Sequence, residues 1–296
     1  LTDDLFGMSD NDFEARLVEL RPRLHRYCAR MIGSTVDGED VLQDVIVKAL
    51  GARASGAYVE NPENWLFRVA HNTCIDLLRR RSRTVVVPLL KDAESASMPE
   101  ADVLAISFHT FLQLPEMQRC AVILKDVLGH SIEEIASIAD CTPASAKSAL
   151  QRGRSTLRNL AKMPSDTRLP LMLDAQRQRM SEFVELFRSG DFDAIRAMLA
   201  KDVKLDLVNR LKLEGRDRIG VYFTRYAEEA KWGFSFGAID GRPAMLVFEG
   251  NAAAAPAHFV LVDWRNDRIT TIRDFLFAPY VLEAMDWVRL EQVCLE

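Results

Sequence analysis

The sequence predicts a multi-domain protein: two all-α helical modules followed by an α+β domain. Three observations carry this reading. Apolar residues recur at three- and four-residue spacing through residues 10–83. Residues 131–160 read as a short helix, a tight turn and a longer helix. In the last third the pattern changes to short β-rich runs, punctuated by the hairpin turn signals Asp240-Gly241 and Asn266-Asp267. A length of 296 residues leaves room for two or three domains. With 48% hydrophobic and 27% charged residues, the composition is that of an ordinary soluble protein.

Phe13, Leu17, Leu20, Leu24 and Tyr27 give the first helix its apolar face, and Pro22 predicts a break or kink within it. The second helix, VDGEDVLQDVIVKAL, opens with acids where the helix dipole favours them. Val41, Leu42, Val45, Ile46 and Ala49 form its predicted core face, and Asp40, Gln43, Asp44 and Val47 line the other side. A valine among acids suits a partner surface; it also suits a plain solvated face. The third helix begins with Asn61 as cap and Pro62 at its first position, and runs to about residue 83. Leu66, Val69, Ala70, Thr73, Leu77 and Leu78 form the predicted buried stripe. Trp65, Arg68, Asn72, Asp76 and Arg79 fall on a neighbouring face, and Arg79, Arg80, Arg81 and Arg83 close the helix. An aromatic, amide and arginine face suits an unpaired nucleic-acid strand through stacking and backbone contact. The basic end alone also complements the helix dipole, and Trp65 alone also fits a core.

In residues 131–160, Ser131 and Glu134 form a capping box. Ile132, Ile135 and Ala136 supply the apolar face, Asp140-Cys141 breaks the helix, and Thr142-Pro143 opens the next. The second helix carries Ser145, Lys147, Ser148, Gln151, Arg152, Arg154 and Arg158, donors for phosphates and base edges. This is the outline of a DNA-reading helix-turn-helix, with a helical hairpin bearing a solvated basic face as the alternative. The net charge of −5 is unusual for a protein that holds DNA alone. Either the basic surface is local or tight binding needs a partner.

At this point a resemblance becomes specific. DGEDVLQDVIVKAL followed by NPENWLFRVAHNTCIDLLRRR resembles region 2 of the extracytoplasmic-function (ECF) sigma factors of the sigma-70 family. The stretch from LPEMQRCAVILKDVLGHSIEEIA to KSALQRGRSTLRNL resembles region 4 of that family. The resemblance implies a subunit of bacterial RNA polymerase that directs promoter-specific initiation. Region 2 would dock through Asp40, Gln43, Asp44 and Val47 on the clamp coiled coil of the largest polymerase subunit. Trp65, Arg68, Asn72, Asp76, Arg79 and Arg80, with the loop over residues 51–61, would hold the melted −10 strand. The 144–160 helix would read the −35 element and region 4 would touch the flap. The acidic balance then has an explanation, since promoter affinity would come mostly from the assembled enzyme.

The expected organisation is region 2 over 10–83, a linker over 84–102, region 4 over 103–162, a linker over 163–173 and a final domain over 174–296. Residues 84–102 turn to Pro, Ser, Ala and acids, as a tether does. Fully extended at ~3.3 Å per residue it reaches roughly 60 Å, about the length of a roughly 16-base-pair spacer. Leu114-Pro115-Glu116 marks a helix start and Gly129 a stop, with His130 as a loop residue lacking a metal partner. Five scattered cysteines without a C-x-x-C pair argue for a reducing cytosol and against a zinc site or disulfide framework. The acidic start lacks the apolar run of a signal peptide or membrane span. No cofactor is expected, and the location expected is cytoplasmic.

The last segment reads as a helix over 174–189 closed by Gly190, a short helix from Asp191, a strand over 203–208 and a helix over 216–231. The strand-like runs FSFGAI, PAMLVFE, HFVLVDW and ITTIRDFLFA follow as an antiparallel meander, a curved sheet wrapped on helices. This order, with SGDFDAIRAMLAKDV at its opening, is similar to the cone-shaped SnoaL-like domains of the nuclear-transport-factor-2-like fold. The resemblance implies a pocket in the cone, a possible small-molecule site with Asp206, Tyr226, His258 and Asp274 as candidate polar lining. Asp274 alternates with Ile272 and Leu276, so it would point inward as a general base does; a strand Asp is also commonly just solvated or hydrogen-bonded. Sigma factors with a SnoaL-like extension form known subfamilies in which the extension is thought to regulate the sigma modules in cis. One large subfamily has WLPEP-like and DGGGK-like motifs, where this chain has RLPLM and VNRLKLEG. Two rival readings are a small-molecule enzyme with a DNA-targeting arm and a repressor that binds duplex DNA alone.

Overall fold

A computed structural model describes residues 10–55, 59, 61–82, 108–161, 174–228, 231–250, 255–285 and 287–290. The linker stretches 84–102 and 163–173, and part of the 51–61 loop, lie outside the described residues. The chain divides into two compact units, Leu1–Asp166 and Thr167–Glu296.

The first unit is helical. α1 (Asp10–Ile32) continues through Pro22 as one helix, so of the expected break or kink the break does not occur. Proline frees the carbonyl of Val18, and Val18 is 72% exposed, on the side of the helix that faces water. α2 (Thr35–Ala54) is capped by Ser34, which accepts from Asp37 N at 3.2 Å. α3 (Pro62–Ser82) is capped as expected, with Asn61 Oδ1 accepting from Asn64 N at 3.0 Å. Its buried side differs from the predicted stripe. Leu66, Phe67, Ala70, Thr73, Cys74 and Ile75 are buried, while Val69, Leu77 and Leu78 are only half-buried. The helix is covered on two sides rather than one, so more than one stripe goes inside.

α4 (Phe108–Leu112) and α5 (Glu116–Val122) follow, and α5 runs into a π-helical turn, Ile123–Val127. Gly129, at φ +80°, ends it. α6 (Ile132–Ile138) carries both halves of the capping box, Glu134 N to Ser131 Oγ at 3.1 Å and Ser131 N to Glu134 Oε2 at 2.7 Å. Asp140, at φ +51°, makes the turn into α7 (Pro143–Ala161), whose Ser145 N bonds to Thr142 Oγ1 at 3.2 Å. α5 and α7 approach closely at Gly153, where a Cβ would lie 2.7 Å from a Val122 methyl.

The second unit is the expected α+β domain. α8 (Asp174–Ser189), α9 (Phe192–Met198) and α10 (Arg216–Glu228) pack on one seven-stranded sheet. Its strands are β1 (Leu199–Leu207), β2 (Leu211–Glu214), β3 (Trp232–Ile239), β4 (Arg242–Glu249), β5 (His258–Arg265), β6 (Arg268–Asp274) and β7 (Trp287–Arg289). The order is β2-β1-β6-β5-β4-β3-β7, antiparallel except for β1 beside β6. Asp240-Gly241 and Asn266-Asp267 all have positive φ, the geometry of two-residue hairpins, and set the pairs Ile239↔Arg242 and Arg265↔Arg268. Register shifts in β1 and β5 curve the sheet around the helices. β6 ends at Asp274 rather than running on through FLFA, because the Asp274 carboxylate takes Leu276 N at 2.9 Å and turns the chain. β2 and β7 were not anticipated.

Candidate nucleic-acid interface

On α2, alternation between core and solvent leaves a ridge. Asp40 and Asp44 are exposed, Gln43 is half-buried and Val47 is 68% exposed. Leu50, three residues beyond Val47, extends the ridge at 45% exposure; continuing the same helical spacing would have found it. Gln43 also has inward work. Its amide donates to Glu39 Oε1 at 2.7 Å, and Glu39, fully buried, pairs with Arg21 at 3.1 Å.

On α3, Arg68, Asn72, Asp76, Arg79 and Arg80 are exposed and Trp65 is half-buried, so the predicted face exists. Its N-terminal turn is fixed by Glu63, which takes Arg16 at 2.8 Å and also Arg23. On α7, Ser145, Lys147, Ser148, Gln151 and Arg152 are exposed on one side. Arg154 and Arg158 do not share that side. Arg154 forms a two-pronged ion pair with buried Asp126, Nε to Oδ2 at 2.9 Å. Arg158 is half-buried, with Nη2 enclosed and lacking a hydrogen-bond acceptor. Both lie among Leu150, Gly153 and Leu157 on the buried side, at positions three and four apart, which the sequence already displayed.

The two helical modules meet within the first unit. Arg119 on α5, 5% exposed, donates to three carbonyls: Met31 O at the end of α1 (2.5 Å), Leu112 O (3.2 Å) and Leu114 O (3.0 Å). Arg23 donates to Leu128 O at 3.2 Å, and Arg68 to Ser137 Oγ on α6 at 2.8 Å. His130 is buried with its ring edge-on to Phe67, centroids 4.7 Å apart, rather than being an ordinary loop residue. Tyr27 Oη lies 2.8 Å from His71 Nδ1 and donates to Cys120 Sγ at 3.4 Å. Burial pushes the Cys120 thiol up to about 12 and holds His71 down at about 4, with Arg79 adding to the second effect. Among the described residues the cysteines are free thiols, and no His, Cys, Asp and Glu group is placed to hold a metal ion. No described helix is long and apolar enough to cross a membrane.

In the second unit, three of the four candidate pocket residues come together. Asp274, fully buried, accepts from Tyr226 Oη at 2.7 Å, and Tyr226 Oη lies 2.9 Å from His258 Nε2. Tyr222, missed in the sequence although it sits one helical turn before Tyr226, donates to Asp274 Oδ2 at 2.9 Å. Burial lowers the His258 pKa, opposed by Asp274, and raises that of Tyr222. Asp206 is the exception. Leu205 and Leu207 face the core, so by strand alternation Asp206 turns to the other side, 3.4 Å from Lys212 and 3.7 Å from Arg273. Aromatic rings pack on Tyr226, Phe187 at 5.4 Å and Phe234 at 5.7 Å between centroids. Two cavities open on this unit, of about 580 and 390 Å³, and neither is lined by Asp274, Tyr222, Tyr226 or His258. The cluster is hydrogen-bonded within a packed core, with His258 Nδ1 enclosed and lacking a partner.

Comparison with known proteins covers both units. Residues 17–84 match the family described as Sigma-70 region 2, and residues 109–157 the family described as Sigma-70, region 4. The chain is 25% identical over 214 residues to the ECF RNA polymerase sigma factor SigG of Mycobacterium tuberculosis, covering 62% of this chain and 58% of that protein. It is 31% identical over 140 residues to SigM of the same organism, covering 47% of this chain and 71% of the relative. Among solved structures, that of the M. tuberculosis extracytoplasmic function sigma factor SigJ matches at 18% identity and a TM-score of 0.35, over 90% of this chain and 95% of the other.

Proposed function

The chain belongs to the ECF sigma factors of the sigma-70 family, and from that membership we propose that it directs RNA polymerase to specific promoters. In this reading the protein works by binding and positioning. The α2 ridge of Asp40, Gln43, Asp44 and Val47 docks on the clamp coiled coil of the largest polymerase subunit, with Leu50 extending its apolar end. The α3 face, Trp65, Arg68, Asn72, Asp76, Arg79 and Arg80, receives the melted −10 strand by stacking and phosphate contact. α7 enters the major groove of the −35 element through Ser145, Lys147, Ser148, Gln151 and Arg152, while region 4 touches the flap. Arg154 holds α7 in place through Asp126, and Arg158 lies on the buried side of the helix rather than on its exposed face.

The observation that carries this reading is the pairing of two distinct surfaces in one unit, an arginine-tipped α3 face and an exposed α7 face. A repressor of intact duplex uses only the second. The SnoaL-like unit regulates these modules in cis, and its packed interior favours a protein-contacting role over turnover. The test is association with core polymerase. The wild-type chain is expected to co-purify with core enzyme and Asp44→Arg to lose most of that binding. Binding of intact duplex without core enzyme, as tight as with it, would favour the repressor instead.

A further inference from the structure

In the second unit, β4 runs beside β3 from Trp232 to Ile239, whereas β7 covers the other side only at Gly237–Ile239. The last described bond on that side is Leu290 N to Phe236 O at 3.0 Å. Beside the rest of β3 lies the larger of the two cavities, about 580 Å³, a volume suited to a small molecule. Four successive β3 residues, Trp232 to Ser235, line it together with Arg188, Phe248 and Arg289. Strand alternation puts this recess at the rim of the sheet rather than in the cone. Phe234 packs with the helical core, while Ser235 and Phe248, the latter paired with Gly233, belong to the opposite face.

Two guanidinium groups and no carboxylate line the recess. Arg188, at the end of α8, is aimed by its Nε donating to Phe234 O at 2.9 Å, with Glu185 at 3.5 Å from its Nη1. Arg289 is exposed, stands over the Phe248 ring at 4.3 Å and meets no carboxylate among the described residues. The other charges nearby, Lys231 over Trp232 and its partner Glu249 at 3.6 Å, offset one another. Ser235, 8% exposed, has a hydroxyl whose bond to Phe236 O is stretched to 3.5 Å. A chain of net charge −5 therefore keeps a local excess of positive charge against flat apolar faces. Guanidinium forks take carboxylates in planar, two-pronged pairs, and aromatic walls take rings. We propose that this recess binds a planar aromatic carboxylate, its anion held by Arg188 and Arg289 and its ring against Trp232 and Phe234. Phosphate would leave the aromatic wall unused, and a neutral ring would leave the guanidinium groups without an anion.

The test is calorimetric titration of the full chain with naphthoate. Half-saturation below about 1 mM is expected, well within reach of a ligand of this size. Naphthol, which has the same ring without the carboxylate, and inorganic phosphate should each bind about tenfold more weakly or worse. Arg289→Met removes an exposed guanidinium and is expected to weaken naphthoate about tenfold while leaving the thermal midpoint where it was. Arg289→Lys, which keeps the charge but not the fork, should recover part of the loss. Arg242→Met, in the smaller cavity, should leave binding as it is. The proposal is overturned by the absence of naphthoate binding, by naphthol or phosphate binding equally well, or by full binding in Arg289→Met. A loss in Arg242→Met as large as in Arg289→Met would overturn it too. No polymerase enters the titration, so its result and the fate of the sigma factor reading are independent.

Discussion

Arg154 and Arg152 stand two positions apart on α7, and their fates differ because two positions is more than half a helical turn. Arg152 faces solvent and Arg154 reaches Asp126, whose side chain is 1% exposed. Removing one partner of a buried ion pair strands the other, at a cost of about 3 kcal/mol or more. Arg154→Ala is therefore expected to lower stability by roughly that amount, measured by urea denaturation, whereas Arg152→Ala should leave stability nearly unchanged. His71 gives the pH dependence. Free histidine titrates near 6.5 and here it is held at about 4, so the unfolded chain takes the proton first. The part of the first unit's stability that His71 governs should be flat above neutrality. It should fall as pH drops from about 6.5 toward 4, losing about 3 kcal/mol from this residue alone. His25 and His130, also lowered by burial, add to the same slope. A urea-denaturation series in which His71→Gln does not flatten the curve would contradict this. At this scale the sequence showed residue types well and directions poorly. Arg68 and Arg119 are both arginines in helices, and only packing decides that one is exposed and the other buried against three carbonyls.

Elements were far more legible. Capping residues act locally, so Ser131 with Glu134, Asn61 with Pro62, and Thr142 before α7 each marked a helix start that the structure keeps. The two hairpin dipeptides fixed their turns for the same reason. What failed was non-local. β2 and β7 are short strands held by pairing with β1 and β3, and neither carries a pattern of its own. The pocket candidates show the same limit: Asp274, Tyr226 and His258 converge with rings from α8 and β3 packed on Tyr226, while Asp206 sits with Lys212 and Arg273. On α7 the exposed face separates two kinds of contact. Lys147→Ala should weaken −35 binding equally for all sequences and reduce the salt dependence by about one counterion. Gln151→Ala should instead relax preference at one base pair, by about 1–3 kcal/mol. Salt titrations and a base-substituted duplex panel distinguish them; identical behaviour of the two variants would argue against α7 lying in the groove.

For the molecule as a whole, the acidic balance makes sense if affinity resides in the assembled polymerase, with the end of α3 and one side of α7 among the exposed basic surfaces. The fused α+β unit then has a regulatory place, and deleting residues 174–296 is expected to change transcript yield from a fixed promoter at least several-fold. Equal yield from both forms would leave the second unit without a part in initiation. The central claim is promoter-directed initiation, and start-site mapping tests it directly. A fragmented bacterial genome is transcribed with core polymerase, with and without the full-length chain. The expected result is a discrete set of new start sites sharing two sequence blocks roughly 16 base pairs apart. Start sites no different from those of core enzyme alone, with the chain bound or unbound, would contradict the account.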